Sequence, residues 1–246
     1  KHLIAVFILI LAALVLMYFW IGVPKIYDKE NLEFKTSHIY NDESRSITEI
    51  HVSAFYFIPK KKVNGEIESW REILEDNLQK LKKFHSLQFQ GKSDITYKIY
   101  PESVIGLESG IYYDTGITEH GNPEALRRIA KEIETRVLNK DGDLFREDFV
   151  LKNDRSYEVI AIMYEGVGSS GSDNVFLVNR LFLSDERFST YGASTFVHEF
   201  YHTLGVPDAY ELPTSVPTSN DIMGLGRLGP LEEAYISRET LRRLGI

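Results

Sequence analysis

The sequence predicts an α/β domain, a mixed and twisted β-sheet flanked by helices, carried behind one N-terminal transmembrane helix. Three features lead there. Strand-like segments alternate with amphipathic helical ones through residues 46–246. Residues 3–23 form an apolar stretch that no charge interrupts. Near the C-terminal end, a helical segment carries two histidines four positions apart, His198 and His202. The expected organisation is an anchor over 1–23, a linker over 24–45 and one folded domain over 46–246.

Composition agrees with one domain plus an anchor. The chain has 246 residues, of which 43% are hydrophobic and 26% charged. A net charge of -8 and a pI near 5.4 leave no basic footprint, so nucleic acid is excluded as a partner class. The absence of cysteine excludes disulfides and thiolate metal ligands, leaving His, Asp and Glu to hold any metal.

Residues 3–23, LIAVFILILAALVLMYFWIGV, match the ~20 residues that a helix needs to cross a bilayer. A cleaved signal peptide would have a shorter apolar core and a small-residue cleavage site. This stretch instead ends near Tyr18, Phe19 and Trp20, residues of the interfacial aromatic belt. The expected placement is a single-pass membrane protein with its domain on the extracytoplasmic side. Lys1 and His2 precede the segment and Lys25 and Lys29 follow it, so charge asymmetry does not fix the orientation.

Residues 24–45 are polar and without period, as a linker would be. A first strand is predicted over 47–58, rich in β-branched and aromatic residues and closed by Pro59. Lys60, Lys61 and Lys62 then read as a solvated loop. Trp70, Ile73, Leu74, Asn77, Leu78, Leu81 and Phe84 recur at helical spacing and predict an amphipathic helix over 67–87. A strand over 94–100 follows, and then a glycine-bearing loop over 106–121 whose His120 has no partner at ligand spacing. Asn122 and Pro123 suit the start of a helix with Leu126, Ile129, Ala130, Ile133 and Val137 on its apolar face. Asp141-Gly142-Asp143 lacks the later ligands of a calcium loop and reads as a turn. Residues 157–164 and 175–183 read as two strands of a hairpin joined by a Gly/Ser-rich loop over 166–174, and 232–244 as a terminal helix.

The segment HEFYHTLGVPD, residues 198–208, carries the chemistry. Histidines four apart project from one helix face, so both imidazoles can bind one ion, for which Zn²⁺ is the natural choice. Glu199 lies beside that ion without having to ligate it, placed to act as general base toward a water. Gly205 suits a left-handed helix ending, after which the chain can bring Asp208 back as a third ligand. Two histidines and one carboxylate leave a fourth position open, the pattern of catalytic rather than structural zinc.

These residues resemble the zincin metallopeptidases. The segment is similar to the metzincin pattern H-E-x-x-H-x-x-G-x-x-H, with Asp208 where most metzincins have a third histidine, as in some bacterial secreted metallopeptidases. Asn220-Asp221-Ile222-Met223-Gly224 resembles the Met-turn that underlies the metal in that group. The resemblance is specific over about the last quarter of the chain. It implies a zincin-like fold, a zinc-dependent endopeptidase acting on a peptide or protein substrate, and an antiparallel edge strand before the active-site helix, here 175–183, that binds extended substrate. It also implies a tyrosine hydroxyl at the oxyanion, with Tyr201, Tyr210 and Tyr235 all open. Three alternatives accompany it: a gluzincin-type third ligand at Glu232 or Glu233, a non-catalytic zinc-containing binding or sensor domain on a membrane stalk, and a plain buried core helix whose histidines are satisfied polar groups, against which Gly205, Asp208 and Met223 together speak. The presence of Glu199 speaks against the second, since a structural site needs no base.

Overall fold

A computed structural model describes residues 36–114, 123–139, 156–209 and 219–246. The anchor segment, the linker as far as residue 35, His120, Asn122, Asp141 to Asp143 and Tyr210 lie outside the described residues. No described helix is long and apolar enough to cross a membrane.

The folded unit runs Thr36–Ile246 and therefore begins within the segment read as linker. Strands β1 (His38–Ile39) and β2 (Asp42–Ser46) form a small antiparallel pair. Buried Ile39 belongs to the main core, and the Tyr40 N–H donates to the Leu204 carbonyl at 2.9 Å. A polar surface hid this pair because Ile39 is its only large apolar residue in the core.

The main sheet contains β3 (Glu49–Ile58), β4 (Asp94–Ile99), β5 (Val104–Ile105), β6 (Ser156–Tyr164), β7 (Ser169–Ser172) and β8 (Val175–Asn179). Its order is β4-β3-β6-β8-β7, with β5 continuing beside the end of β3. All pairings are parallel except β7 with β8, so the sheet is mixed as expected. Period-two alternation divides its side chains between two layers. Val52, Ala54, Tyr56, Val159, Ala161 and Phe176 face one core, while Phe55, Phe57, Ile160, Ile162 and Leu177 face the other.

The first core is covered by α1 (Trp70–Phe89) and, after α2 (Gly110–Tyr113), α3 (Pro123–Glu132) and α4 (Arg180–Ser184), by α5 (Gly192–His202). The second lies under α2 and α3, the latter continued by a π-helical turn over Ile133–Val137. Helix α1 buries Trp70, Leu74, Leu78, Leu81 and Phe84, the spacing predicted for it.

Three expectations are corrected. First, β6 and β8 are parallel rather than a hairpin, because the segment 166–174 contains β7 and β8 inserts between β6 and β7. All five β8 residues are buried, as suits an interior parallel strand, so 175–183 is not the antiparallel edge expected to bind substrate, and β7 stands at that end of the sheet among the described residues. Second, the run 175–183 is not one strand: Asn179 accepts a hydrogen bond from the Leu181 N–H through its side chain and caps α4. Third, the terminal helix, α6 (Arg238–Arg243), is shorter than 232–244. Leu231–Glu233 is a 3₁₀ turn, and the backbone of Tyr235 bonds to Asn220 and Ile222 instead of continuing a helix. Ser237 then caps α6 by accepting from the Thr240 N–H.

Candidate metal centre

Helix α5 is almost wholly buried, and its last turn aims His198 and His202 at the same point. The His198 Nδ1 lies 2.9 Å from the Ile222 carbonyl, and the His202 Nδ1 lies 2.9 Å from the Val206 carbonyl. A carbonyl only accepts, so each Nδ1 carries the proton and each Nε2 presents a lone pair. Those two Nε2 atoms are 3.2 Å apart.

The chain supplies the third donor through a tight turn. Gly205 has φ +77°, the left-handed conformation expected of it, and its N–H donates to the His202 carbonyl. The return brings Asp208 Oδ1 to 3.3 Å from His198 Nε2 and 3.7 Å from His202 Nε2. Three electron-pair donors thus face one another at the separations they would have on a common ion. Tetrahedral Zn–N and Zn–O bonds of 2.0–2.2 Å set donors about 3.4 Å apart. The group His198, His202 and Asp208 could therefore hold a metal ion, and its all-nitrogen-and-oxygen donor set fits zinc. Burial, and then the neighbouring His202, holds His198 well below the usual histidine range. The neutral imidazole is the form that ligates.

The segment after the ligands is tied to the site by hydrogen bonds. Met223 is buried, its N–H donates to Asp221 Oδ1 at 3.0 Å, and its carbonyl accepts from the Ala209 N–H at 2.7 Å. One turn thereby ties the residue following Asp208 to the carbonyl of Ile222 that orients His198. The segment expected as a Met-turn is thus joined to the cluster through the Ile222 carbonyl and the Ala209 N–H.

Glu199 is buried beside the donors. Burial pushes its carboxyl up to about 7, against the lowering effects of His202, a hydrogen bond with Ser169 and Arg227, while Asp208 adds to the rise. A cation beside it would act in the lowering sense. Ser169 opens β7, and that strand lies directly on α5: a Cβ at Gly171 would collide with the Glu199 carbonyl and touch His202. The edge strand and the helix are in backbone contact because position 171 has no side chain.

Two site residues were not visible in the sequence. Ser169 sits in what reads as loop composition. Arg227, in the 3₁₀ turn Leu225–Leu228, places Nη1 3.6 Å from Asp208 Oδ1. No local spacing connects either residue to the histidine motif.

The tyrosines separate. Tyr201 is fully buried between α5 and α1, its hydroxyl 3.1 Å from His85 Nδ1, and does not reach the cluster. Tyr235 is exposed, with its main chain hydrogen-bonded to Asn220 and Ile222. Glu232 and Glu233 are exposed, whereas Asp208 is the carboxylate in the cluster.

No family model matches the chain, and no curated protein matches it. Among solved structures it is similar to a zinc-dependent peptidase from Methanocorpusculum labreanum (strain Z). The two share 15% identity, over 79% of this chain and 99% of that one, with a TM-score of 0.38.

Proposed function

We propose that the chain is a zinc-dependent endopeptidase of metzincin-like type, held at the membrane by residues 3–23 with its domain on the extracytoplasmic side. The observation that supports it is the convergence of two Nε2 lone pairs and a carboxylate oxygen within 3.2–3.7 Å, beside the buried carboxyl of Glu199, which lies outside that donor cluster. A structural metal site would have no use for Glu199. In this reading His198, His202 and Asp208 hold one Zn²⁺, Glu199 is the base, and Met223 packs beneath the ligands.

When bound, zinc would supply Lewis-acid polarisation of the scissile carbonyl and acidification of a water. The protein's part is positional and protonic. Glu199 takes the proton of the attacking water as the new C–O bond forms, then delivers it to the amine nitrogen as the C–N bond breaks. Its surroundings, dry and close to a carboxylate, suit a group that must both accept and return a proton. The outer edge of β7, one of the two ends of the sheet among the described residues, can pair with an extended peptide by main-chain hydrogen bonds and lay it across α5. Tyr235, or Tyr210, supplies the hydroxyl at the oxyanion in this scheme.

The test is Glu199→Gln. It is expected to keep one equivalent of zinc while peptide hydrolysis falls by ~10²–10⁴. Undiminished hydrolysis would sink the mechanism, and loss of zinc would make Glu199 a ligand.

A further inference from the structure

The 3₁₀ turn Leu225–Leu228 is sorted against the usual rule. Its two leucines stand in water, Leu225 46% exposed and Leu228 55%. The side chain of its one cation, Arg227, is only 28% exposed and reaches toward the metal centre. With three residues per turn, Leu225 and Leu228 share one side and Arg227 leaves by another. A charge drawn in where two apolar residues are left out marks a position chosen for chemistry rather than for packing.

The turn is pinned from two sides. Ser194, buried on α5 one helical turn before His198, donates its hydroxyl to the Gly229 carbonyl at 2.7 Å. The Gly226 N–H donates to the Asp221 carbonyl at 2.9 Å, and a Cβ at Gly226 would collide with the carbonyls of Asn220 and Asp221. The helix that carries the histidines and the segment whose Ile222 carbonyl orients His198 thus fix the same turn. From it Arg227 Nη1 stands 3.6 Å from Asp208 Oδ1, the oxygen that faces both Nε2 atoms. His202 and Arg227 are each partly exposed, so solvent reaches this side of the cluster.

We infer that Arg227 is a catalytic residue, the cation that meets the oxyanion of the tetrahedral intermediate. The inference rests on the peptidase reading and adds a guanidinium to the tyrosine hydroxyl invoked there. The need for it follows from Asp208. A carboxylate among the ligands puts negative charge beside a carbonyl oxygen that must itself become negative, where a third imidazole would have been neutral. A guanidinium 3.6 Å from that carboxylate offsets the charge and presents its rigid fork of N–H donors to an oxygen. As the water oxygen bonds to the carbonyl carbon, the C=O electron pair moves onto oxygen and an Arg227 N–H donates to it. The pair returns when the C–N bond breaks, and Arg227 keeps its proton throughout.

The test compares Arg227→Met, which removes the charge, with Arg227→Lys, which keeps the charge without the fork. A casein peptide that the full wild-type chain cleaves is made in two forms, the fluorogenic amide and a phosphinic analogue with a tetrahedral PO₂⁻ in place of the scissile carbonyl. Arg227→Met is expected to keep one zinc and to lose ~10²–10³ in kcat with KM little changed. Calorimetry should show the phosphinic peptide bound more weakly by a similar factor, since the analogue carries the charge of the transition state. Arg227→Lys should recover part of both losses. Unchanged kcat and analogue affinity in Arg227→Met overturn the inference. So does a rise in KM alone, which makes Arg227 an anchor for the ground state, or loss of zinc, which makes it a holder of Asp208. A zinc-loaded wild type that cleaves neither casein nor a mixed peptide library is a failure of the peptidase reading, told apart because it is seen before any substitution is made, and the inference falls with it.

Discussion

The hydroxyl of Tyr201 lies 3.1 Å from Nδ1 of His85, inside the core between α1 and α5. The direction of this bond follows from the other ring nitrogen. His85 Nε2 is 2.8 Å from Ser93 Oγ, whose own proton goes to the Ile47 carbonyl, so Nε2–H must donate and Nδ1 must accept. Tyr201 is thus the donor to a neutral, buried imidazole. It joins α5 to its neighbour α1 and is spent as a chemical group.

Tyr201→Phe is accordingly expected to cost stability rather than chemistry. It leaves His85 Nδ1 buried without a donor, at about 1–3 kcal/mol. Urea unfolding should show that loss, while zinc content and hydrolysis per folded molecule stay as in the wild type. A variant of normal stability with hydrolysis reduced a hundredfold would return Tyr201 to the reaction.

His85 also gives the domain a predictable response to acid. Burial lowers it to about 3, whereas in the unfolded chain it titrates near its ordinary value of 6.5. Between those values the unfolded state binds the extra proton, so stability rises with pH: the contribution is complete above 6.5 and is lost as pH falls toward 3. From pH 6.5 to 5 the loss is about 2 kcal/mol, at about 1.4 kcal/mol per pH unit. His85→Asn, compared with wild type by urea unfolding at pH 7 and 5, is expected to show a shallower dependence by that amount, whatever its stability at pH 7. Equal slopes would mean that His85 is charged in the fold.

Gly171 is expected to be irreplaceable for a different reason. A methyl group there meets the Glu199 backbone, which no side-chain rotation can relieve. Gly171→Ala should cost about 1–3 kcal/mol and push β7 off α5. Hydrolysis of extended peptides should fall with it, because the edge proposed to receive the substrate moves relative to Glu199. A variant with unchanged melting temperature and turnover would show that the strand and helix are not in contact.

The site was legible where its geometry is local. His198, Glu199, His202, Gly205 and Asp208 lie within one helix turn and one reversal, so their spacing alone predicts which groups can meet. Arg227 and Ser169 reach the same place through the fold, and no pattern in the neighbouring residues marks them. The sheet shows the same division. Strands β3 and β6 announce themselves by apolar composition, but β7 is Ser-Ser-Gly-Ser, chosen for closeness to α5 rather than for burial. The apolar run beginning at Val175 looked like one strand because the helix cap at Asn179 is a hydrogen bond, invisible to hydropathy.

Zinc content tests the central claim most directly. The full chain, equilibrated in a zinc buffer and analysed by mass spectrometry, is expected to hold one zinc. His202→Ala and Asp208→Ala should each weaken binding by more than the ~100-fold typical of losing an outer-shell partner, and so emerge nearly metal-free. Glu232→Ala and Glu233→Ala, both altered at exposed positions, should keep the full equivalent. A wild-type chain that takes up no zinc, or an Asp208→Ala variant that keeps one equivalent while Glu232→Ala or Glu233→Ala loses it, would contradict the account.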